Sequence, residues 1–316
     1  MGRRKRGNPV NGWVVIDKPK GVTSTDVVAK VRRAFNARKA GHGGTLDPLA
    51  TGMLPIALGE ATKTVPYTVD ALKAYEFVVR FGEERTTDDL EGEVVNSSDL
   101  RPDDDAIRAA LPGFLGEVMQ VPPRFSAIKV DGERAYDLAR EGEAVELNAR
   151  PVYIERIDLL ERMDDDHVRM AMVCGKGTYV RALARDLGRK LGTFATIADI
   201  RRTRVGPFDA SLAISLDSLA DLDNSPPPKA GIFDFPGLHP VETALDGIPA
   251  LAVTETDAQR IKQGGAVRMT RLMAADLPSD RSADERVVRV HSASGTLIAL
   301  AEIDQGAVKP MRVFHL

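Results

Sequence analysis

Cysteine and long apolar runs are what this 316-residue sequence has least of. The one cysteine, Cys174, excludes an intramolecular disulfide framework, has no partner thiol for a metal, and suits a reducing cytosol. No run is long enough to span a membrane, and the basic stretch 2–6 is followed only by GWVVID, too little for a signal peptide. These absences predict a cytoplasmic protein. A strong net charge is missing too, since 43 Lys and Arg stand against 46 Asp and Glu, leaving −3. That balance does not advertise a nucleic-acid binder.

Charge distribution says more. Residues 1–40 hold eleven basic residues, including Lys18, Lys30, Arg32, Arg33, Arg38 and Lys39, against Asp17 and Asp26. A second concentration comprises Lys176, Arg181, Arg185, Arg189, Lys190, Arg201, Arg202 and Arg204. The compensating acid lies in 88–105, 164–166 and 276–285. Segregation of this kind can build a basic face on an acidic protein.

The rest of the chain is organised around residues 41–55, GHGGTLDPLATGMLP, with four glycines, two prolines and one carboxylate. Glycines permit close backbone approach, and Pro48 restricts Asp47 to extended conformations. The expectation is a rigid loop, neither helix nor regular strand, that presents Asp47 with His42 nearby. From the residues alone, a turn in which Asp47 satisfies a local N–H is an equal alternative.

The run GHGGTLDPLATGMLPIALGEATK, residues 41–63, resembles the signature of TruB-type tRNA pseudouridine synthases. Further matches follow in that family's order at Asp17-Lys18-Pro19 with Gly21, Lys73-Ala74-Tyr75, residues 122–129, and Gly177-Thr178-Tyr179-Val180-Arg181. The resemblance implies that Asp47 is the catalytic aspartate, acting at the ribose as nucleophile or as base at C2′. It implies that Tyr75 lies against the target base and helps remove the C5 proton, and that Arg181 pairs with the aspartate. His42 matches the histidine that enters the RNA loop as the uridine is extruded. Lys18, Lys63 and Tyr179 are further substrate-binding candidates, the lysines for phosphate or loop-positioning contacts. The isomerisation adds no group and changes no redox state, so no cofactor or metal is expected.

Periodicity places these residues. Strands are expected at 12–17, 54–58, 74–81, 152–160 and 167–173, with Tyr75, Phe77, Val79 and Phe81 sharing one face. Ser24 or Thr25 is expected to cap a helix through Phe35. Val180, Leu183, Ala184, Leu187 and Leu191 make an apolar helical stripe, and Arg181, Arg185 and Arg189 a second face. Residues 200–208 read as a basic segment, and 134–140 as a helix within a stretch that closes over RNA. The expected fold class is α+β: a mixed, largely antiparallel central sheet with flanking helices, followed by a small C-terminal β-rich domain resembling a PUA module. The expected divisions are a basic arm at 1–11, a catalytic domain at 12–222, a linker at 223–240 and an RNA-binding domain at 241–316. Every matched residue precedes 208, so residues beyond about 250 are expected to serve RNA affinity rather than chemistry.

By resemblance, the function is formation of pseudouridine in the T-loop of tRNA, at position 55, by a stand-alone monomer with tRNA as its partner. A guide-RNA-dependent synthase subunit is the alternative within the family, and a tRNA-binding or folding protein the alternative outside it. A glycoside hydrolase would want a second carboxylate, which the central loop lacks.

Overall fold

The computed structural model describes residues 7–126, 129–130, 133–134, 147–221, 237–271, 273, 277 and 286–316. The terminal arm at 1–6, most of the expected 134–140 helix and most of the 223–240 linker lie outside them. Arg134, which does not, is in a strand rather than a helix.

The chain opens with β1 (Gly12–Lys18), helix α1 (Ser24–Ala34), β2 (Ala40–His42) and β3 (Thr51–Leu58). Helix α2 (Val65–Asp70) leads into β4 (Lys73–Phe81) and a small hairpin, β5 (Glu83–Arg85) with β6 (Val94–Ser97). Helix α3 (Asp104–Ala110) and β7 (Gly116–Gln120) follow, then the short hairpin β8 (Lys129–Val130) and β9 (Glu133–Arg134). Next come β10 (Arg150–Arg162), β11 (His167–Cys174), helix α4 (Val180–Lys190), β12 (Ala195–Val205) and β13 (Ala213–Ser215). After β14 (Leu238–His239), a second sheet is built from β15 (Ala250–Ala252), β16 (Val267–Arg268), β17 (Val287–His291), β18 (Leu297–Asp304) and β19 (Ala307–Val313), with helix α5 (Glu255–Lys262) against it.

Among the described residues the main sheet runs β13-β1-β3-β12-β4-β11-β10-β7, with β14 on β1 and β2 on β3. Only β1–β13 and β3–β12 pair in parallel, so the sheet is mixed and largely antiparallel as expected. Strand β12 differs from the sequence reading. Residues 200–208 read only as a basic segment, yet in the fold β12 is a strand between β3 and β4 at the centre of the sheet. Arg201 and Arg202 reach partners from there, and the apolar Ile197, Ile200 and Val205 are buried.

The glycine-rich stretch also differs at both ends. Residues 40–42 and 51–58 are strand, 40–42 pairing with 56–58 so that His42 lies opposite Ile56, and only 43–50 is loop. Tertiary pairing overrides the weak local propensity of glycine and proline there. Thr23, rather than Ser24 or Thr25, caps α1, and its hydroxyl and Asp26 form a capping box. Ser24 instead receives the N–H of Leu46 and donates to its carbonyl, both at 2.9 Å, tying the helix start to the loop.

Strands β1 and β3 are apolar on both faces because both are covered. Val14, Ile16, Leu54 and Ile56 join the core beneath α1 and α4. Trp13, Val15, Met53 and Ala57 join another core with Phe208, Leu297, Leu300 and Phe314. The C-terminal sheet is therefore packed against the back of the strands that carry the loop, which goes beyond the RNA-affinity role expected for it. Phe314 is 1% exposed. Phe314→Ala is expected to cost about 3–5 kcal/mol, seen as a lowered urea midpoint. A change below about 1 kcal/mol, as for a surface site, would mean that the contact is dispensable.

Candidate active site

The loop 43–50 and the start of α4 face each other across a cleft of about 310 Å³, lined among others by Asp47, Lys73, Tyr75, Tyr179, Arg181 and Ile200. Helix α4 buries Val180, Leu183, Ala184 and Leu187. That burial fixes its rotation and turns Arg181 toward the loop.

Arg181 is only 5% exposed and is held by four oxygens. Its Nη2 meets Asp47 Oδ2 at 2.7 Å and the Phe125 carbonyl at 3.0 Å. Its Nη1 meets Asp89 Oδ2 at 3.2 Å and the Thr87 carbonyl at 2.9 Å. Burial alone would lower its pKa, but the carboxylates of Asp47 and Asp89 outweigh it and leave the value raised. Asp89 is 2% exposed and fixed in turn by the Thr87 hydroxyl and the Glu91 N–H. Asp47 stays accessible, its side chain 37% exposed. One carboxylate thus anchors the guanidinium from behind while the other meets the cleft. Asp89 carries no signal in the sequence beyond belonging to an acidic turn.

The whole arginine face of α4 is answered in this way. Arg185 Nη1 donates to Asp88 at 2.9 Å, and Arg189 makes a two-point contact with Glu84 at 2.7 and 3.0 Å. Asp88 sits at φ 60, a left-handed position that aspartate tolerates, and it points to Arg185 while Asp89 points to Arg181. Burial lifts Asp88 to about 6, against the pull of Arg185. Arg201 pairs with Asp17 and Lys176 with Asp70. The second basic concentration is therefore largely neutralised rather than a free face, because acids distant in sequence fold against it. In the first, Lys30, Arg32, Arg33 and Lys39 are exposed with no carboxylate within 4.0 Å among the described residues.

Tyr75 lies on β4 opposite Met172 of β11 and Arg202 of β12. Burial pushes its phenol up, and the Arg202 guanidinium pulls the other way. Tyr179 caps α4, its backbone N–H donating to Gln120 Oε1 at 2.9 Å and its carbonyl accepting from Gln120 Nε2 at 3.1 Å. His42 is half-buried on β2, and its Nδ1 accepts the Gly44 N–H at 3.3 Å. Burial and the charge of Arg202 push its pKa down, so the ring is neutral at pH 7. It does not line the cleft itself.

The two lysine candidates turn inward. Lys18 is fully buried and donates to the carbonyls of Pro19, Val22 and Pro48 at 2.9, 2.9 and 3.2 Å. Its three N–H bonds are taken by these carbonyls, which tie β1 to the segment carrying Asp47. Lys63 bridges Glu60 and the Val313 carbonyl, both at 2.7 Å, and so ties the main sheet to β19.

Lys18 and Lys73 are both pushed down to about 8, mainly by burial. Lys73 donates to the Ala71 carbonyl at 2.7 Å and also to that of Val69. An unfolded lysine titrates near 10.5, so between pH 8 and that value the unfolded chain binds more protons and stability rises with pH. The stability of the native sequence relative to Lys73→Met is expected to improve over that window in urea titrations. A flat difference would mean that Lys73 stays charged in the fold.

Comparison with known proteins shows the family. The model of the TruB family pseudouridylate synthase N-terminal domain matches residues 32–180, and that of the tRNA pseudouridylate synthase B C-terminal domain matches 181–246. The chain is 53% identical to tRNA pseudouridine synthase B of Caulobacter vibrioides over 316 residues, covering all of both chains. It is 54% identical to the protein of that name from Bradyrhizobium diazoefficiens, covering 99% of this chain and 88% of the other. Among solved structures, a Cbf5-Nop10-Gar1 complex contains a chain of similar fold, with a TM-score of 0.69, 26% identity, and coverage of 96% of this chain and 85% of that one. The α+β sheet, the loop opposite α4 and these matches over the full length together make the chain a member of the TruB family of pseudouridylate synthases.

Proposed function

We propose that the protein converts uridine to pseudouridine in the T-loop of tRNA, at position 55, acting alone and without a cofactor. The observation that carries this reading is the buried Asp89–Arg181 pair aiming one further donor at the accessible Asp47. In the reaction the N1–C1′ bond breaks, the detached uracil turns, a C5–C1′ bond forms, and the C5 proton leaves as N1 gains one. Asp47 acts at the ribose and Arg181 orients it. Tyr75 supports the base, a role suited to a phenol that burial keeps protonated. Entry of the target into this cleft requires the nucleotide to leave its stack. His42, neutral and beside the loop, substitutes for the lost stacking partner. The unpaired Lys30, Arg32 and Arg33 of α1, with Lys39 just before β2, meet the phosphate backbone.

Incubation with an unmodified tRNA transcript is expected to give one mass-neutral, carbodiimide-reactive uridine in the T-loop. A modified uridine elsewhere would overturn the assigned position. Product formed only when a guide RNA and further proteins are added would favour the guide-dependent alternative. Binding without any product would favour a folding role.

A further inference from the structure

Arg202 is the largest charged group buried near the cleft that the roles above leave unused, and it is 1% exposed. Among the described residues it has no carboxylate partner within 4.0 Å. A buried guanidinium without a counter-ion is costly, so what it touches instead is informative. It donates to three backbone carbonyls of the loop region. Nη2 reaches Gly44 O at 3.0 Å and Nη1 reaches Thr45 O at 3.1 Å, just before Asp47, while Nε reaches Met53 O at 2.8 Å, just after the loop. The planar fork thus pins both ends of the segment that carries Asp47.

The backbone is built to allow this approach. Arg202 is the register partner of Gly52 on one side and of Tyr75 on the other. Gly52 has φ +102, and a Cβ there would lie 2.1 Å from the Arg202 carbonyl oxygen. Only glycine lets β3 come this close to β12 at the point where the loop ends. The same residue that holds the Asp47 loop therefore sits beside the tyrosine under the base.

We infer that Arg202 is a positioning residue for the isomerisation, setting the place of Asp47 through the carbonyls of Gly44, Thr45 and Met53 and holding it in register with Tyr75. This rests on the roles proposed above for Asp47 and Tyr75. A lysine at this position keeps a positive charge but cannot span three carbonyls as a rigid fork. Displacement of the loop by about 1 Å is enough to cost about a hundredfold in rate.

The test uses the full-length protein and T-loop uridine in prefolded tRNA. The unaltered protein serves as control, and its failure to form product would refute the proposed function and not this inference. With that control active, Arg202→Lys is expected to lower the single-turnover rate at saturating enzyme by about a hundredfold, with the tRNA Kd changed less than about threefold. Arg202→Ala should be at least as slow and should regain about tenfold in rate with millimolar ethylguanidinium, which a general loss of sheet stability would not permit. Either variant reacting within about threefold of the unaltered protein would overturn the inference. So would equal losses in rate and binding, absence of rescue, or failure of both variants to fold, since each would reduce Arg202 to a support of the sheet.

Discussion

Asp47→Asn is expected to reduce single-turnover pseudouridine formation by at least about a thousandfold, or about 4 kcal/mol of barrier, while tRNA still binds. Asparagine keeps the size of the side chain and removes the carboxylate that, on the proposal above, acts at the ribose. The fold has little reason to respond. The Asp47 side chain is 37% exposed, and Arg181 keeps Asp89 and the carbonyls of Thr87 and Phe125 when Asp47 is neutral. Thermal unfolding should therefore stay close to that of the unaltered protein, which separates a chemical lesion from a structural one. Retention of more than a few per cent of the rate would mean that the reaction centre lies elsewhere.

Arg181→Met is expected to damage both rate and stability, for two distinct reasons. The rate falls because Asp47 loses the donor at 2.7 Å that aims it. Stability falls because Asp89, 2% exposed, becomes a buried carboxylate without its cation, a lesion worth about 3–5 kcal/mol. A second substitution pulls these effects apart. Asp89→Asn in the Arg181→Met background removes the uncompensated charge, so the double variant should recover much of the lost stability but none of the lost rate. Urea unfolding and single-turnover kinetics on all four proteins make the cycle. Additive stabilities would show that the pair at 3.2 Å is not coupled. Recovery of rate in the double variant would show that Arg181 acts only by neutralising Asp89.

Much of this was legible in the chain itself. The alternation of β4, the apolar stripe of α4 and the glycine-rich loop around Asp47 are local patterns, set by the two-residue repeat of a strand, the 3.6-residue repeat of a helix and the backbone freedom of glycine. Asp47, Tyr75 and Arg181 could be named on motif order, and all three line one cleft. Basic charge was legible in amount but not in effect. Arg185 and Arg189 read as a second face of the helix, yet Asp88 and Glu84, about a hundred residues earlier, fold directly against them.

Long-range pairing decided the remainder. Strand β12 reads only as a basic segment because its arginines have no visible partners in the chain order. In the sheet they find Asp17 and the carbonyls of Gly44, Thr45 and Met53, more than 140 residues away. Lys18 and Lys63 were candidates for contacts to substrate, and in the fold each donates to a backbone carbonyl of a distant segment. Residue type and spacing determine which segments bury an apolar face and which loop must be glycine-rich. Whether a given charge is free, paired or buried depends on partners that only the folded chain brings within hydrogen-bonding distance, because a charge in low dielectric is tolerated only where such partners converge.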